Sequence, residues 1–278
     1  MKILLTGHKG FIGSHLLKRL ESENHMVQTY DWKDRIAWPH INEDLDWVIH
    51  VGANSSTTER DTNLIGRQNI AFTEFLYNQC KEYNIPMQFA SSASVYGTTQ
   101  NPSHERDDLY PQSPYAWSKY LSEKTLTADP YSNVQIFRYF NVYGHGEEHK
   151  GSQASVFTKF PLQAKEYGVI KLFEGSHKIV RDFVCVDDVV EFHMQMLKTR
   201  AWENRGIFNV GTGKPVSFEV IAKKISNKLK TDIEFIPMPN ELKSQYQYYT
   251  CADTTWANTV ADVNWTNPIE WIEKNVKA

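Results

Sequence analysis

The stretch Thr6-Gly7-His8-Lys9-Gly10-Phe11-Ile12-Gly13 constrains this chain more than any other. It follows the apolar run 2–6, which reads as a strand, and opens the pattern 11–20, which reads as a helix. Glycines spaced Gly-x-x-Gly-x-x-Gly at a strand-to-helix junction permit a tight turn. They also let the backbone approach a pyrophosphate closely and let the helix pack tightly on the strand. The helix start contributes unsatisfied amides and the positive end of its dipole, which together make an anion site. Gly7, Gly10, Phe11, Ile12 and Gly13 are therefore the expected dinucleotide-binding turn.

A turn of this kind calls for an acidic residue at the end of the second strand, about 20 residues on, to bind ribose hydroxyls. Asp31 stands eighteen residues after Gly13. Trp32 and Lys33 follow it, and Lys33 or Arg35 would instead suit a 2′-phosphate. These residues leave NAD and NADP both open.

The first half of the chain alternates as a dinucleotide fold requires. Strands are predicted at 2–6, 27–30, 47–50, 86–90 and 134–137. Ile65, Phe72, Leu76 and Cys80 recur at helical spacing, and Ser113-Pro114 reads as an N-cap followed by proline at the first helical position. Later elements are shorter and set off by glycines: a helix at 156–167, strands at 169–173 and 208–210, a helix capped by Asp187 that carries Val190, Met194 and Leu197, and a helix capped by Ser217 that carries Ile221, Ile225 and Leu229. The expected fold is α/β, a Rossmann-type doubly wound parallel sheet with a smaller C-terminal α/β substrate-binding lobe. Residues 1–143 form the NAD(P)-binding domain, with some later segments returning to it, and residues 144–278 are mainly the lobe. A length of 278 residues, 41% hydrophobic, accommodates a domain plus a lobe.

Two further groupings carry chemistry. Tyr115 and Lys119 stand four apart on the helix that Ser113 opens, so they share a face. A tyrosine is a poor base at neutral pH, and making it one takes about 4 kcal/mol at ~1.4 kcal/mol per pH unit. A lysine ammonium one turn away, with an oxidised nicotinamide, would supply that field. Ser91-Ser92-Ala93-Ser94-Val95-Tyr96-Gly97 follows the fourth strand, at the end of the sheet where doubly wound folds bind ligands, and Ser92 there would hydrogen-bond a substrate oxygen.

The glycine turn, the strand-end serine and the Tyr-x-x-x-Lys pair, in this order, resemble the extended short-chain dehydrogenase/reductase superfamily, most of which acts on nucleotide sugars. Longer stretches resemble the ADP-L-glycero-D-manno-heptose 6-epimerase family: Ser55-Ser56-Thr57-Thr58-Glu59, Phe137-Arg138-Tyr139-Phe140-Asn141-Val142-Tyr143-Gly144, His149-Lys150-Gly151-Ser152, Leu172-Phe173-Glu174-Gly175-Ser176, Arg181-Asp182-Phe183-Val184 and Gly206 to Gly213. The resemblance spans nearly the whole chain. It implies epimerisation of one carbinol carbon of a nucleotide-linked heptose through a transient ketone, with NADP (NAD the alternative) as hydride carrier and a product that feeds lipopolysaccharide synthesis. It also implies Tyr115 and Lys150 as the two acid/base groups, Lys119 as the group that tunes Tyr115 and holds the nicotinamide ribose, and Ser92 at the reacting oxygen. Asn141, Ser152, Arg181, Lys243 and Tyr246 are the remaining implied substrate contacts, Arg181 and Lys243 at the diphosphate.

Four departures stand out. Gln245 replaces an arginine two positions after Lys243, His145 replaces a proline, Asn54 replaces a common cysteine, and the segment between Asp31 and Trp47 is short. That segment is expected to lack a helix and to hold an abbreviated strand at 36–41. A dehydratase is disfavoured because Ala93-Ser94 lacks the acidic pair of that branch. A 4-epimerase or reductase of another nucleotide sugar remains the alternative, and a non-catalytic NAD(P)-binding protein is a third reading that retention of Tyr115 and Lys119 opposes. His145 and His149 bracket a glycine-flanked loop unsuited to two metal ligands on a helix, so no metal is expected.

Composition narrows the surroundings. A net charge of −3 gives no basic field for nucleic acid, and no apolar run approaches the roughly 18–20 residues of a membrane span. The N-terminus lacks a signal-peptide pattern. Cys80, Cys185 and Cys251, sparse and odd in number, point to a reducing cytoplasm. The expected partners are a nucleotide-sugar substrate and further copies of the chain in a homo-oligomer.

Overall fold

The computed structural model describes all residues except 35–36, 130–131, 200–202, 241–246 and 278, and all side chains of the rest save that of Ser152. The strands are β1 (Lys2–Thr6), β2 (Met26–Tyr30), β3 (Trp47–His50), β4 (Met87–Ser92), β5 (Val134–Tyr139), β6 (Asn141–Tyr143), β7 (Val169–Phe173), β8 (Val180–Arg181), β9 (Phe183–Cys185), β10 (Gly206–Val210), β11 (Val216–Ser217) and β12 (Asp232–Ile236). Six of them make one sheet in the order β10-β5-β4-β3-β1-β2, every pair parallel.

Helices cover both faces of this sheet, which is why its strands are continuous apolar runs rather than alternating ones. Leu4, Val48, Phe89 and Ile136 pack against Phe72, Leu76 and Cys80 of α3 (Phe72–Glu82) and Leu126 of α4 (Pro114–Thr127). On the other face Ile3, Leu5 and Ile49 meet Leu16 and Leu20 of α1 (Phe11–Ser22) and Val190, Met194 and Leu197 of α6 (Val186–Leu197). Register aligns the carboxyl ends: Thr6 lies opposite Tyr30 and His50, and Ser92 opposite Tyr139. The chemistry-bearing residues therefore emerge along one rim.

The remaining strands pair in twos, β6 with β9, β7 with β12 and β8 with β11. Their core gathers Tyr143, Phe183, Phe157 and Phe160 of α5 (Val156–Tyr167), and Ile221 and Ile225 of α7 (Phe218–Leu229). Ser113 and Ser217 cap as expected: Ser113 Oγ accepts from the Ala116 amide at 3.1 Å and Ser217 Oγ from the Val220 amide at 3.2 Å.

Three expectations need correction. Asp187 is not a cap. α6 starts at Val186 with Cys185 extended before it, and Asp187 sits in the first turn, where its carboxylate pairs with His15 Nδ1 at 3.4 Å. Acid in a first turn suits the helix dipole, so the residue type fits but the role differs. The abbreviated strand is absent from 37–41, the described part of that segment, while 35–36 lie outside the described residues. Ile41 instead buries its side chain against the core from irregular backbone after a short 3₁₀ turn, Trp32–Asp34. The helix through Ile65 to Cys80 is not uniform either. A π-helical stretch, Gly66–Ala71, lies between α2 (Thr62–Ile65) and α3.

Candidate active site

β1 ends at Thr6, and the next seven residues turn into α1. Gly7 adopts φ +79° against the loop after β3, where a Cβ would lie 2.5 Å from Gly52 Cα. A Cβ on Gly13 would overlap the Gly7 carbonyl, 2.7 Å from its carbon. Both positions thus exclude a side chain by contact with backbone, which cannot yield. Gly10 to Gly13 line a cleft of about 910 Å³ that crosses the carboxyl rim of the sheet. Asp31, one-twelfth exposed or less, lines the cleft beside the glycine turn. The Asp31 carboxylate accepts from the Lys33 amide at 2.9 Å and the Lys9 amide at 3.4 Å. Beside it Trp32 keeps a buried indole Nε1–H without a partner among the described residues, and the Arg67 guanidinium lies 5.9 Å over the Trp32 ring.

These features fit a dinucleotide. The backbone cradle has no room for a Cβ, the first-turn amides of α1 border the cleft, and an orphan donor waits at the adenosine end beside a carboxylate. Gly13→Ala is expected to weaken dinucleotide binding about tenfold or more, in line with an overpacking penalty of roughly 1–3 kcal/mol. Calorimetric titration with the cofactor measures it, and an unchanged Kd would show that the cradle tolerates a side chain.

At the middle of the cleft, α4 carries Tyr115 and Lys119 one turn apart. Lys119 is buried. Its Nζ donates to the Ala90 carbonyl at 2.7 Å and lies 4.7 Å from the Phe89 ring centroid and 6.0 Å from that of Tyr115. Burial lowers its ammonium to about 7, against the pull of Glu123 one turn further on. Burial raises Tyr115 above its ordinary value, opposed by a hydrogen bond with Ser92. In the protein alone Tyr115 therefore carries its proton at neutral pH. Ser92 ends β4, and its Oγ also accepts from the Ser94 amide at 3.2 Å.

The cleft is also lined by a 3₁₀ segment, Glu148–Gln153, from which Lys150 faces it. Lys150 Nζ lies 2.8 Å from Glu147 and 4.9 Å from the Phe11 ring centroid. Asn141 lines the same cleft, its Oδ1 accepting from Thr250 Oγ1 at 3.1 Å. Arg181 is buried beside the cleft. Its guanidinium donates to the carbonyls of Val180 (3.0 Å) and Gln247 and lies 5.6 Å over the ring of Phe218, which lines the cleft. The neighbouring Asp182 serves a structural purpose, receiving backbone amides of Thr212, Gly213 and Ala252. Lys243, Gln245 and Tyr246 lie outside the described residues, as does the side chain of Ser152. His145 Nε2 contacts Asn275 Oδ1 at 2.8 Å and His149 Nδ1 contacts the Gly146 carbonyl at 2.9 Å.

Sequence reasoning missed several supports. Asn69, buried in the π-helical stretch, accepts the Asn54 amide at 2.8 Å and donates to the Asn54 carbonyl at 3.0 Å and to Ser118 Oγ at 2.9 Å. It joins the loop after β3 to the helix of Tyr115. His50 bridges Thr6 Oγ1 at 2.6 Å and Thr73 Oγ1 at 2.9 Å, kept neutral by burial and by Lys119. The alternation of apolar residues around these positions gave no sign of either.

The fold and this cleft define an enzyme of the short-chain dehydrogenase/reductase type. Residues 3–211 match the NAD dependent epimerase/dehydratase family, and the chain belongs to that family. Its cofactor class is accordingly the nicotinamide adenine dinucleotides. The chain is 36% identical over 287 aligned residues to the ADP-L-glycero-D-manno-heptose-6-epimerase of Alkalilimnicola ehrlichii, spanning 90% of this chain and 88% of the relative. The crystal structure of Helicobacter pylori ADP-L-glycero-D-manno-heptose-6-epimerase superposes with a TM-score of 0.83 at 24% identity, covering 99% of this chain and 94% of that one. Thermus thermophilus UDP-glucose 4-epimerase in complex with NAD does so with a TM-score of 0.78 at 24% identity, covering 93% and 92%. These two structures establish the shared fold.

Among the described residues, no helix is long and apolar enough to cross a membrane.

Proposed function

We propose that this protein is a nucleotide-sugar epimerase that inverts the carbinol carbon at position 6 of an ADP-activated glycero-manno-heptose. The observation that carries the reading is the placement of Tyr115 on α4 and Lys150 on the 3₁₀ segment, two proton-transfer groups from separate elements lining one cleft. The identity to a curated heptose epimerase across 90% of the chain supports the substrate.

A nicotinamide held there would supply the hydride acceptor and donor for the carbinol carbon. Tyr115 Oη would take the hydroxyl proton of one epimer and Lys150 Nζ would give a proton to the oxygen of the other epimer as it forms, the two groups exchanging roles in the reverse direction. Ser92 Oγ steadies the reacting oxygen. Lys119 holds the nicotinamide ribose and places its charge near Tyr115. Asn141, Ser152, Arg181, Lys243 and Tyr246 hold the nucleotide sugar, with Arg181 and Lys243 at the diphosphate. Gly7, Gly10, Phe11, Ile12, Gly13, Asp31, Trp32 and Lys33 hold the dinucleotide. NADP is the preferred form: both Asp31 carboxylate oxygens already accept backbone amides, and the exposed Lys33 and Arg67 side chains lie close by to meet a 2′-phosphate. Residues 1–143, joined by the later segments α6 and β10 that return to the central sheet, form the cofactor domain, and 144–278 are mainly the substrate lobe. The exposed Trp117 and Leu121, one turn apart on α4, support a homo-oligomer, and three free buried thiols support a cytoplasmic setting.

Incubating the protein with one purified ADP-heptose epimer, followed by NMR, is expected to show both epimers. Lys150→Ala should slow that interconversion by about 10²-fold or more, the usual range for loss of an acid/base group. Full activity of Lys150→Ala would favour a 4-epimerase of another nucleotide sugar, which needs no such lysine. Absence of interconversion with cofactor bound would remove the heptose assignment and leave the family intact.

A further inference from the structure

Glu147 is a carboxylate without solvent exposure on the wall of a polar cleft. Removing such a charge from water is costly unless it is paired and hydrogen-bonded. Four donors converge on it. Lys150 Nζ lies at 2.8 Å and the Ser155 amide at 3.3 Å from Oε1, and Ser155 Oγ and Thr158 Oγ1, the latter at 3.3 Å, donate to Oε2. The Glu147 carbonyl also accepts the Lys150 amide at 2.8 Å. Lys150 is thus fixed at both ends by one residue three positions earlier, and that residue is anchored by the first turn of α5.

We propose that Glu147 is the positioning residue for Lys150, holding its ammonium against the cleft at a fixed place. This rests on the acid/base reading of Lys150 given above. The surroundings of Lys150 are asymmetric. Glu147 is the carboxylate in direct contact with it, Lys159 of α5 is the like charge facing the same carboxylate, and α1 contributes the uncharged Phe11 ring. Glu148 and His149 share its own segment, and His149 Nδ1 is turned to the Gly146 carbonyl. Burial lowers Lys159, with Glu147 opposing and Lys150 adding to the effect, so one carboxylate serves two lysines. Such a carboxylate sets the direction and reach of the Lys150 side chain. A carboxylate needed only to anchor α5 would be engaged by Ser155 and Thr158 alone.

The test uses the full chain with its cofactor. Glu147→Gln keeps the shape and the acceptor oxygen but removes the charge. Labelling with trinitrobenzenesulfonate, read by peptide mass spectrometry, should modify Lys150 severalfold faster in this variant, because the amine is released from its ion pair and no longer held against the carboxylate. Lys165, on the last turn of α5, serves as the reference and should not change. In epimerisation, kcat should fall while KM for the nucleotide sugar stays within about twofold, the split expected when a proton-transfer group is misplaced and ground-state binding is not. On a Lys150→Ala background the same substitution should cost nothing further. Unchanged Lys150 labelling overturns the proposal, and so does an equal added loss on the Lys150→Ala background. Faster labelling together with a fully active Lys150→Ala keeps the clasp and sinks only the acid/base reading it rests on. Should Glu147→Gln fail to fold, Ser155→Ala removes one anchor of the carboxylate and is expected to speed Lys150 labelling two- to threefold, with no change again overturning the proposal.

Discussion

Tyr115→Phe is expected to lower kcat for epimer interconversion by about 10²–10⁴-fold, the range for removal of a positioned acid/base group, while dinucleotide affinity stays within about twofold. The separation follows from where the residue sits. Its ring packs within 6.0 Å of the Lys119 ammonium, whose own position is fixed by the Ala90 carbonyl, so phenylalanine fills the same space and leaves that contact in place. What disappears is the hydroxyl that shares a hydrogen bond with Ser92. Burial raises Tyr115 in the protein alone, so turnover should climb with pH as the hydroxyl is released, and that limb should be missing from whatever activity remains in Tyr115→Phe. Stopped assays across pH 6–10, with cofactor affinity followed by calorimetry, measure both quantities. A parallel fall in affinity and turnover would mean that Tyr115 acts through the cofactor site rather than at the substrate.

Glu123→Ala should cost about 3–5 kcal/mol of folding stability, the expected penalty for leaving a buried partner charge unpaired. Glu123, two turns after Tyr115 on α4, and Arg138 on β5 are both almost without solvent exposure. They form a two-pronged pair, Nε to Oε1 at 3.0 Å and Nη2 to Oε2 at 2.6 Å. Ser91 donates to the same carboxylate, and the remaining Arg138 nitrogen reaches Tyr96 Oη at 2.9 Å and the Glu105 carbonyl at 3.1 Å. Truncating Glu123 leaves the guanidinium buried with neutral partners only. The double replacement Glu123→Leu with Arg138→Met should recover most of the loss, since apolar residues of similar volume remove both desolvation penalties. Urea unfolding midpoints report the effect. A loss below about 1 kcal/mol in Glu123→Ala would place this pair with weak surface ion pairs.

The sequence made the central sheet readable because a buried parallel sheet leaves unbroken apolar runs. The strand at 47–50 and the helix at 156–167 have the bounds expected from the sequence. Gly7 and Gly13 were legible for a different reason, since a spacing that excludes side chains can be read without coordinates. The π-helical stretch was hidden because Ile65, Phe72, Leu76 and Cys80 keep helical spacing across it, and the extra residue in the turn shows only in hydrogen bonds. Glu147 was hidden because its partners, Ser155 and Thr158, lie beyond a non-helical Gly151 that local periodicity does not cross. Asp187 misled because the first turn and the cap of a helix both favour acids. At the site, residue types were legible and their pairings were not. Lys119 is held by a backbone carbonyl that no spacing rule predicts, and Asp182 by amides drawn from two distant loops.

The short passage from Asp31 to Trp47 has a consequence at the rim of the sheet. With no strand laid down in its described part, β2 is the outermost strand of the sheet, and among the described residues no strand pairs with its outer row of amides and carbonyls. Such a row is a template on which another chain can add itself and start an aggregate. Here it is five residues long and turns Gln28 and Thr29 outward, too brief and too polar to recruit a hydrophobic segment. Shortening the chain at this point thus left a border that guards itself against unwanted pairing by its brevity and polarity rather than by a covering strand.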